Sequence, residues 1–356
     1  MTKIVKLKTN HRFDDDPEFG ELLDRYRNDV WTEDDIKTIN SRIIGASTGV
    51  MPPNNDDIDV SYACALNKER NVIATTIFSK HVNETHPVVK PGDNDQSACD
   101  GIPRHTIIIE SLIQTKAGVR SEIFHNYVID NYGDADVKEG SGNRHIDPAL
   151  KFYSGIPLMI TTNKDIAKGR GNGTLCRGIS VKLKKNSDLK WKNWDGRKVL
   201  SVSIKNVDYM LCEHWKEKDS GISPKRFKLH PEKCSVSMKW KVNNKSVPQQ
   251  IKGLRMTQFP VNSNIATTGH KLQGQTKKHL IVTSWNYTFP NWVYVVLSRV
   301  KTLRGLFLVN KLNDDLTKYQ ISDDLKREDE RLDDLDEQFR VDINWEQKKK
   351  WFDFIN

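Results

Sequence analysis

The sequence predicts an α/β fold: a parallel sheet, interrupted by a small antiparallel β region and followed by a charged helical tail. Three observations predict it. Short apolar runs fit for buried strands recur beside helical patterns, at Val60–Cys64, His279–Ser284 and Gly305–Val309. Between 175 and about 255 the pattern changes to short alternating strands with no helical period. Beyond 313, Leu325, Leu332, Leu335 and Phe339 recur at helical spacing among many charges, an amphipathic helix that packs on the core or engages a partner.

Taken in order, residues 1–80 read as a strand, helices and a second strand. The run Asp14, Asp15, Asp16 has no apolar strand before it, so it reads as an acidic start to a helix over 17–27, where carboxylates suit the helix dipole. Val60–Cys64 runs into a helix over Asn67–His81. Residues 82–150 form an insertion of no assigned role, in which Pro- and Asp-rich loops surround the β-rich run Thr106–Ile113. An apolar strand is expected over 156–162. The alternating strands Ile179–Leu183, Val199–Ile204 and Ser235–Trp240 suit a small antiparallel barrel over 175–254. A strand at Ala266 resumes the parent domain. The domain plan is therefore 1–174 with 255–312, an inserted barrel at 175–254, and a tail at 313–356.

Charge is unevenly spread. The chain of 356 residues has a net charge of +9, but residues 151–310 hold 30 Lys+Arg against 8 Asp+Glu, a net of +22, and the rest a net of −13. From Lys233 to Asn313 there is no carboxylate. An ordinary solvated basic face is the bland alternative; a surface for a polyanion is the better account of so long a stretch. No apolar run approaches the ~20 residues of a membrane span, and the N-terminus lacks a signal-peptide core. Five scattered cysteines without Cys-x-x-Cys point to reduced thiols and no zinc module, so the expected compartment is intracellular and reducing, the nucleus in a eukaryote. No metal site is expected.

Two late segments carry the chemistry. Thr267-Thr268-Gly269-His270-Lys271-Leu272-Gln273-Gly274-Gln275-Thr276 is a loop of small, polar and basic groups leading into a strand, and Val293–Val300 is an apolar helical run ending in Ser298 and Arg299. Together they resemble motifs V and VI of superfamily 1 DNA helicases, most closely the petite-integration-frequency (Pif) family and its helitron-transposon relatives. Leu7–Gly20 with Asp35–Ile43 resembles the segment opening that family's second motor domain. Tyr62–Asn71 resembles its next strand and turn, and Gly155–Ile160 with Gly169–Thr174 the strand and loop before a small barrel insertion. The resemblance covers roughly 1–80 and 150–310.

What the resemblance implies is a RecA-like second motor domain. Arg299 matches the motif VI arginine that reaches the γ-phosphate of ATP on the other motor domain, and Arg12 a second arginine at that phosphate; a guanidinium suits transferring phosphoryl oxygens because it stays charged and spreads its donors. Gly274 and Gln275 would face the nucleotide. Thr267, Thr268, His270, Lys271 and Gln273 would lie toward single-stranded DNA, as would Asn67 and Arg70. A surface arginine is the alternative for Arg299, a capping or packing arginine for Arg12, and a helix cap for Asn67. The family commonly has Ser where this chain has Leu272.

No Gly-x-x-x-x-Gly-Lys-Ser/Thr occurs, so a loop to cradle nucleotide phosphates is lacking. Lys168–Gly173 lacks the Lys-Ser/Thr ending and reads as a basic turn. ATP and Mg2+ would thus be held mainly by a first motor domain, in cis upstream or in trans, and the chain is expected to be inactive alone. The tryptophans Trp191, Trp194, Trp215 and Trp240 stand among lysines and read as barrel core before base-stacking platforms. The expected function is the C-terminal motor-domain portion of a 5′-to-3′ ATP-dependent DNA helicase. The alternative is a non-catalytic nucleic-acid-binding module or a decayed transposon-derived fragment.

Overall fold

The computed structural model describes residues 11–53, 60–88, 106–114, 136–139, 147–215, 225–240, 249–289 and 291–338. Helix α1 (Pro17–Arg27) begins where the acidic run ends: Asp16 is its N-cap, accepting from the Phe19 N–H, with Pro17 in the first turn. Phe19, Leu22, Leu23 and Tyr26 form its buried stripe. Helix α2 (Glu33–Asn40) opens on a capping box between Thr32 and Asp35. Asp35 also receives the Arg25 guanidinium, Nη2 to Oδ1 at 2.5 Å, so one buried carboxylate caps α2 and ties it to α1.

The parallel sheet contains β1 (Val60–Cys64), β15 (Ala266–Thr268), β16 (His279–Val282) and β17 (Leu306–Leu308), in the order β15-β1-β16-β17, every pair parallel. A bridge from Ile43 to Leu308 extends its far edge. Alternation along each strand gives two cores. Leu280, Val282, Leu306 and Leu308 face α1, α2 and the short helix α4 (Trp292–Leu297), while Ile281 and Phe307 pack with Val50 and Val60 on the other face. The strands expected from sequence at 60–64, 266, 279–284 and 305–309 are all present.

The antiparallel region draws on more chain than the sequence plan gave it. Strands β7 (Leu175–Leu183), β10 (Val207–His214) and β11 (Arg226–Leu229) pair with β6 (Pro157–Ile160) and β14 (Val261–Ser263) in one five-stranded sheet. The 156–162 strand, expected in the parent domain, therefore pairs antiparallel with β7 and β14. The run at 106–113 is two strands, β2 (Ile107–Glu110) and β3 (Leu112–Gln114), parted at Ser111. β2 joins β5 (Ala149–Phe152), β9 (Arg197–Ser203) and β8 (Lys190–Trp194); β3 joins β13 (Gln249–Gln258), β12 (Glu232–Trp240) and β4 (Asp136–Glu139). The insertion thus supplies edges and centres of the β region. Ile107, Ile109 and Phe152 meet Leu158, Cys176 and Met210 in a shared core.

Helix α3 (Asn67–Thr85) runs four residues past the expected His81 and lies between the two halves. Ile73 and Ile77 pack on the β-region core, and Phe78 and Val82 on Ile108 and Val199. Trp191 packs on the same core, and Trp194 donates to Ser79 Oγ at 2.8 Å, so both are packing residues; Arg177 lies over Trp215 at 4.9 Å. The side chain of Trp240, the segment 1–10, and Phe339 with the tail beyond it lie outside the described residues. Helix α5 (Asp323–Gln338) is present, its Leu325, Leu332 and Leu335 half-buried. None of the four described cysteines is in a disulfide, and no described helix is long and apolar enough to cross a membrane.

Candidate nucleotide and nucleic-acid interface

The candidate residues gather at the carboxyl ends of β15 and β1, where open parallel sheets place ligands. β15 ends at Thr268 and passes into a 3-10 turn over Gly269–Leu272. That turn must lie close against α4, because any side chain on Gly269 would run into the indole of Trp292. Leu272 is fully buried in the helical core beside Trp292. The leucine that replaces the family's serine is an anchor, fastening the turn from below. Gly274 has φ +76°, the left-handed conformation that closes the loop, with open space where a side chain would stand.

Arg299 is 9 % exposed, which removes the surface-arginine alternative. Residue 298 caps α4, so Arg299 lies one residue past the cap. Its guanidinium donates to four neutral acceptors: Nε to Val295 O at 2.7 Å, Nη1 to Leu272 O at 3.3 Å and Gln275 O at 3.4 Å, and Nη2 to Ser298 Oγ at 2.7 Å. No ion pair joins it to a carboxylate among the described residues. Burial, and then the charge of Arg12, lower its pKa. Arg12 reaches the same place from the turn before α1, donating through Nη1 to Ser298 O at 2.8 Å and through Nη2 to Thr276 Oγ1 at 3.2 Å. Two arginines thus share one serine, Arg12 at its carbonyl and Arg299 at its hydroxyl. Thr276 and Ser298, which the sequence reading did not single out as site residues, are the junction; only their places within the two motifs could have pointed to them.

The residues expected on DNA form a second cluster. Arg70 is buried in the first turns of α3 and donates to Asn71 Oδ1 at 3.0 Å. Lys271 lies near it: burial, then the Arg70 charge, push the ammonium down to about 8. Like charges held together and desolvated are costly, and an arriving anion relieves that cost. Thr268 is half-buried at the strand end, whereas Thr267 is 3 % exposed and donates to Thr268 O, so of the two it is Thr268 that offers a hydroxyl. Gln273 is exposed on the loop. Asn67 is the first helical residue of α3 and Leu66 occupies the cap, so the cap alternative for Asn67 is removed. The side chains of Asn67 and His270 lie outside the described residues. Gln275 Nε2 donates to Lys271 O at 2.6 Å, while its Oε1 is buried without a hydrogen-bond partner.

Beyond these clusters, the ends of β1 and β16 are cross-tied. Ala65 N donates to Ser284 Oγ at 2.9 Å and to Glu69 Oε2 at 3.2 Å, and Ser284 donates to the same carboxylate. Glu69 is thereby occupied within its own helix start. In the basic turn at 168–173, Arg170 pairs with Asp165 at 3.1 Å and lies over Phe227, consistent with a structural turn.

Against solved structures the whole arrangement has clear counterparts. The chain matches the crystal structure of Pif1 helicase from Bacteroides in complex with ADP-AlF3 and ssDNA at 19% identity and a TM-score of 0.54, over 92% of this chain and 56% of that one. The fold is that of Pif1 helicases. Bacteroides Pif1 bound to ssDNA matches at 18% identity and 0.54, over 92% and 56%. Pif1 helicase from Candida albicans matches at 17% and 0.50, over 91% and 60%. The chain therefore spans little more than half the length of these Pif1 structures. No family model matches it, and no curated protein matches it.

Proposed function

We propose that this chain is the C-terminal motor-domain portion of a 5′-to-3′ ATP-dependent DNA helicase, supplying single-stranded DNA contacts and two arginines for ATP held chiefly by another motor domain. The observation that carries this reading is the convergence of Arg12 and Arg299 on Ser298, with Arg299 held by four neutral oxygens, at the end of a sheet with a Pif1-type fold. A site built of cationic donors and neutral acceptors fits phosphoryl oxygens and does not fit a metal ion; no group of three or more metal-binding side chains occurs among the described residues. Arg299 and Arg12 would hold the outer phosphoryl oxygens, and ATP with its Mg2+ supplies the free energy of hydrolysis when bound. Arginines in such positions account for roughly 10³–10⁵ in rate in other phosphoryl-transfer systems.

The second ligand follows from the Arg70–Lys271 cluster and the acid-free stretch around it. Phosphate oxygens of a single strand would take donors from Lys271, Arg70, Thr268 and Gln273, contacts that set position without reading sequence. The antiparallel region would correspond to a small barrel inserted in the motor domain. A nucleic-acid module without catalysis has no observation of its own in its favour.

The test uses the chain alone and then joined to a first motor domain that carries a phosphate loop. Alone, it should bind a fluorescent single-stranded oligonucleotide with affinity that falls steeply with salt, because bound phosphates release counterions. Joined, it should hydrolyse ATP, and Arg299→Ala should abolish turnover. Salt-independent binding, or full turnover in Arg299→Ala, would defeat the reading.

A further inference from the structure

The expectation that one motif serves the nucleotide and the other the DNA treats Arg299 and Lys271 as independent. Their bonding does not. Arg299 Nη1 holds the carbonyls of Leu272 and Gln275, the two ends of the loop's tight turn, and the Gln275 side chain reaches back to the carbonyl of Lys271. The Gln275 N–H donates to Leu272 O at 3.0 Å, closing the turn that Gly274 permits. Arg299 is therefore tied through Gln275 to the backbone that carries Lys271 beside Arg70. The far end of the loop is tied to the same junction, Arg12 Nη2 donating to Thr276 Oγ1 at 3.2 Å and Lys277 N to Arg299 O at 2.8 Å, whereas Gln273 and Gly274 between are exposed and Leu272 anchors the base.

We propose that Arg299 is also a positioning residue for the DNA-facing loop, setting Lys271 against Arg70 through the carbonyls of Leu272 and Gln275, with Gln275 as the intervening clamp. This rests on the DNA-binding reading above. Its chemistry is specific to arginine: a planar fork can serve Val295, Leu272, Gln275 and Ser298 at once, whereas an ammonium of equal charge cannot. An anion engaging the guanidinium would compete with the loop carbonyls for the same donors, so occupancy of the cleft and the setting of the DNA loop are linked through one side chain.

The experiment measures binding of a labelled oligothymidylate to the full 356-residue chain across a salt series. Arg299→Lys keeps the charge but loses the fork, and should weaken binding about fivefold, as expected for loss of one to two hydrogen bonds. The slope of log affinity against log salt should shrink by about one, because Lys271 no longer meets its phosphate. Gln275→Ala should shift affinity and slope in the same direction by a smaller amount. Lys301→Ala, which removes one exposed charge two residues along, serves as the charge control and should leave the slope unchanged. A simple loss of folded protein would lower the binding-competent fraction without altering the slope. Wild-type affinity and slope in Gln275→Ala, or in a folded Arg299→Lys, would overturn the proposal. Absence of salt-dependent binding in the unaltered chain would instead defeat the DNA-binding reading itself.

Discussion

Two junctions in this molecule are built around a part-buried arginine, and they are built on opposite principles. At the α1–α2 junction Arg25 meets Asp35, whose carboxylate also receives the Thr32 backbone and side chain. At the loop–α4 junction Arg299 meets four neutral oxygens. The first arginine is neutralised and its acid is fully employed, so that site can only hold helices together. The second keeps its charge unspent, held in place by carbonyl and hydroxyl dipoles. An arginine in such a setting is already oriented and partly desolvated, and a phosphoryl group can take up its charge without first displacing a carboxylate. At these two junctions it is the acid partner that differs.

The largest effect should come from breaking the packing that substitutes for an ion pair at the second junction. Gly269→Ala puts a methyl into the Trp292 indole and should cost about 2–3 kcal/mol in urea unfolding, as other overpacked cores do. An unchanged midpoint would show that the loop and α4 are not held by close contact.

The first junction breaks at its acid. Asp35→Ala removes the reciprocal half of the α2 capping box and the ion pair to Arg25, and should cost about 2 kcal/mol, discounted because Arg25 is 41% exposed. Burial pushes the Asp35 carboxyl up, but hydrogen bonds from Arg25 and Thr32 outweigh it and the net shift is downward. The sign follows: the contribution is fully present above the ordinary carboxylate range near ~4 and fades as pH falls through the lowered folded value. Acid unfolding of Asp35→Ala should therefore lack that part of the pH dependence.

Gly274→Ala asks whether the loop's left-handed turn is needed. A side chain there meets no neighbour, so the cost is conformational alone, about 1 kcal/mol. A loss much larger than that would mean the turn is packed and not free.

The smallest effect tests the Arg70–Lys271 cluster. With Lys271 at about 8, single-stranded DNA affinity should decline about threefold between pH 7 and 9 as one phosphate contact is lost, and Lys271→Ala should flatten that decline. For stability the sign is reversed: Lys271 and Lys277, both pushed down to about 8 by burial, penalise the fold below that pH, and the penalty is relieved as pH rises toward the unfolded value near ~10.4.

The parallel sheet and its helices were legible because each strand is a short apolar run and each start signal is local. Asp16 and Pro17 mark α1, and Val60–Cys64 is a short run buried on both faces. The loop and the two arginines were legible as motifs. The pairing of Ile107–Glu110 with strands nearly a hundred residues later was not, since register is set by distant partners and leaves no local trace. Nor was the role of Leu272: a leucine in a polar loop gives no sign that it points into a core. Nor was the bond from the Gln275 amide to Lys271 O, because which way an amide turns is decided by the carbonyl that happens to lie within reach.

Helix α3 joins the Arg70–Lys271 cluster to the β region as one rigid rod. Its first turns hold Arg70, while Phe78 and Val82, two and three turns further on, are locked between Ile108 and Val199. At 1.5 Å per residue, its 19 residues span about 28 Å with no proline to hinge it. A stiff shaft pinned at one end acts as a lever. On the proposed DNA contact, a strand pulling on Arg70 would pull on the β region too, so load applied at the phosphates would be borne by the sheets and not by the loop alone.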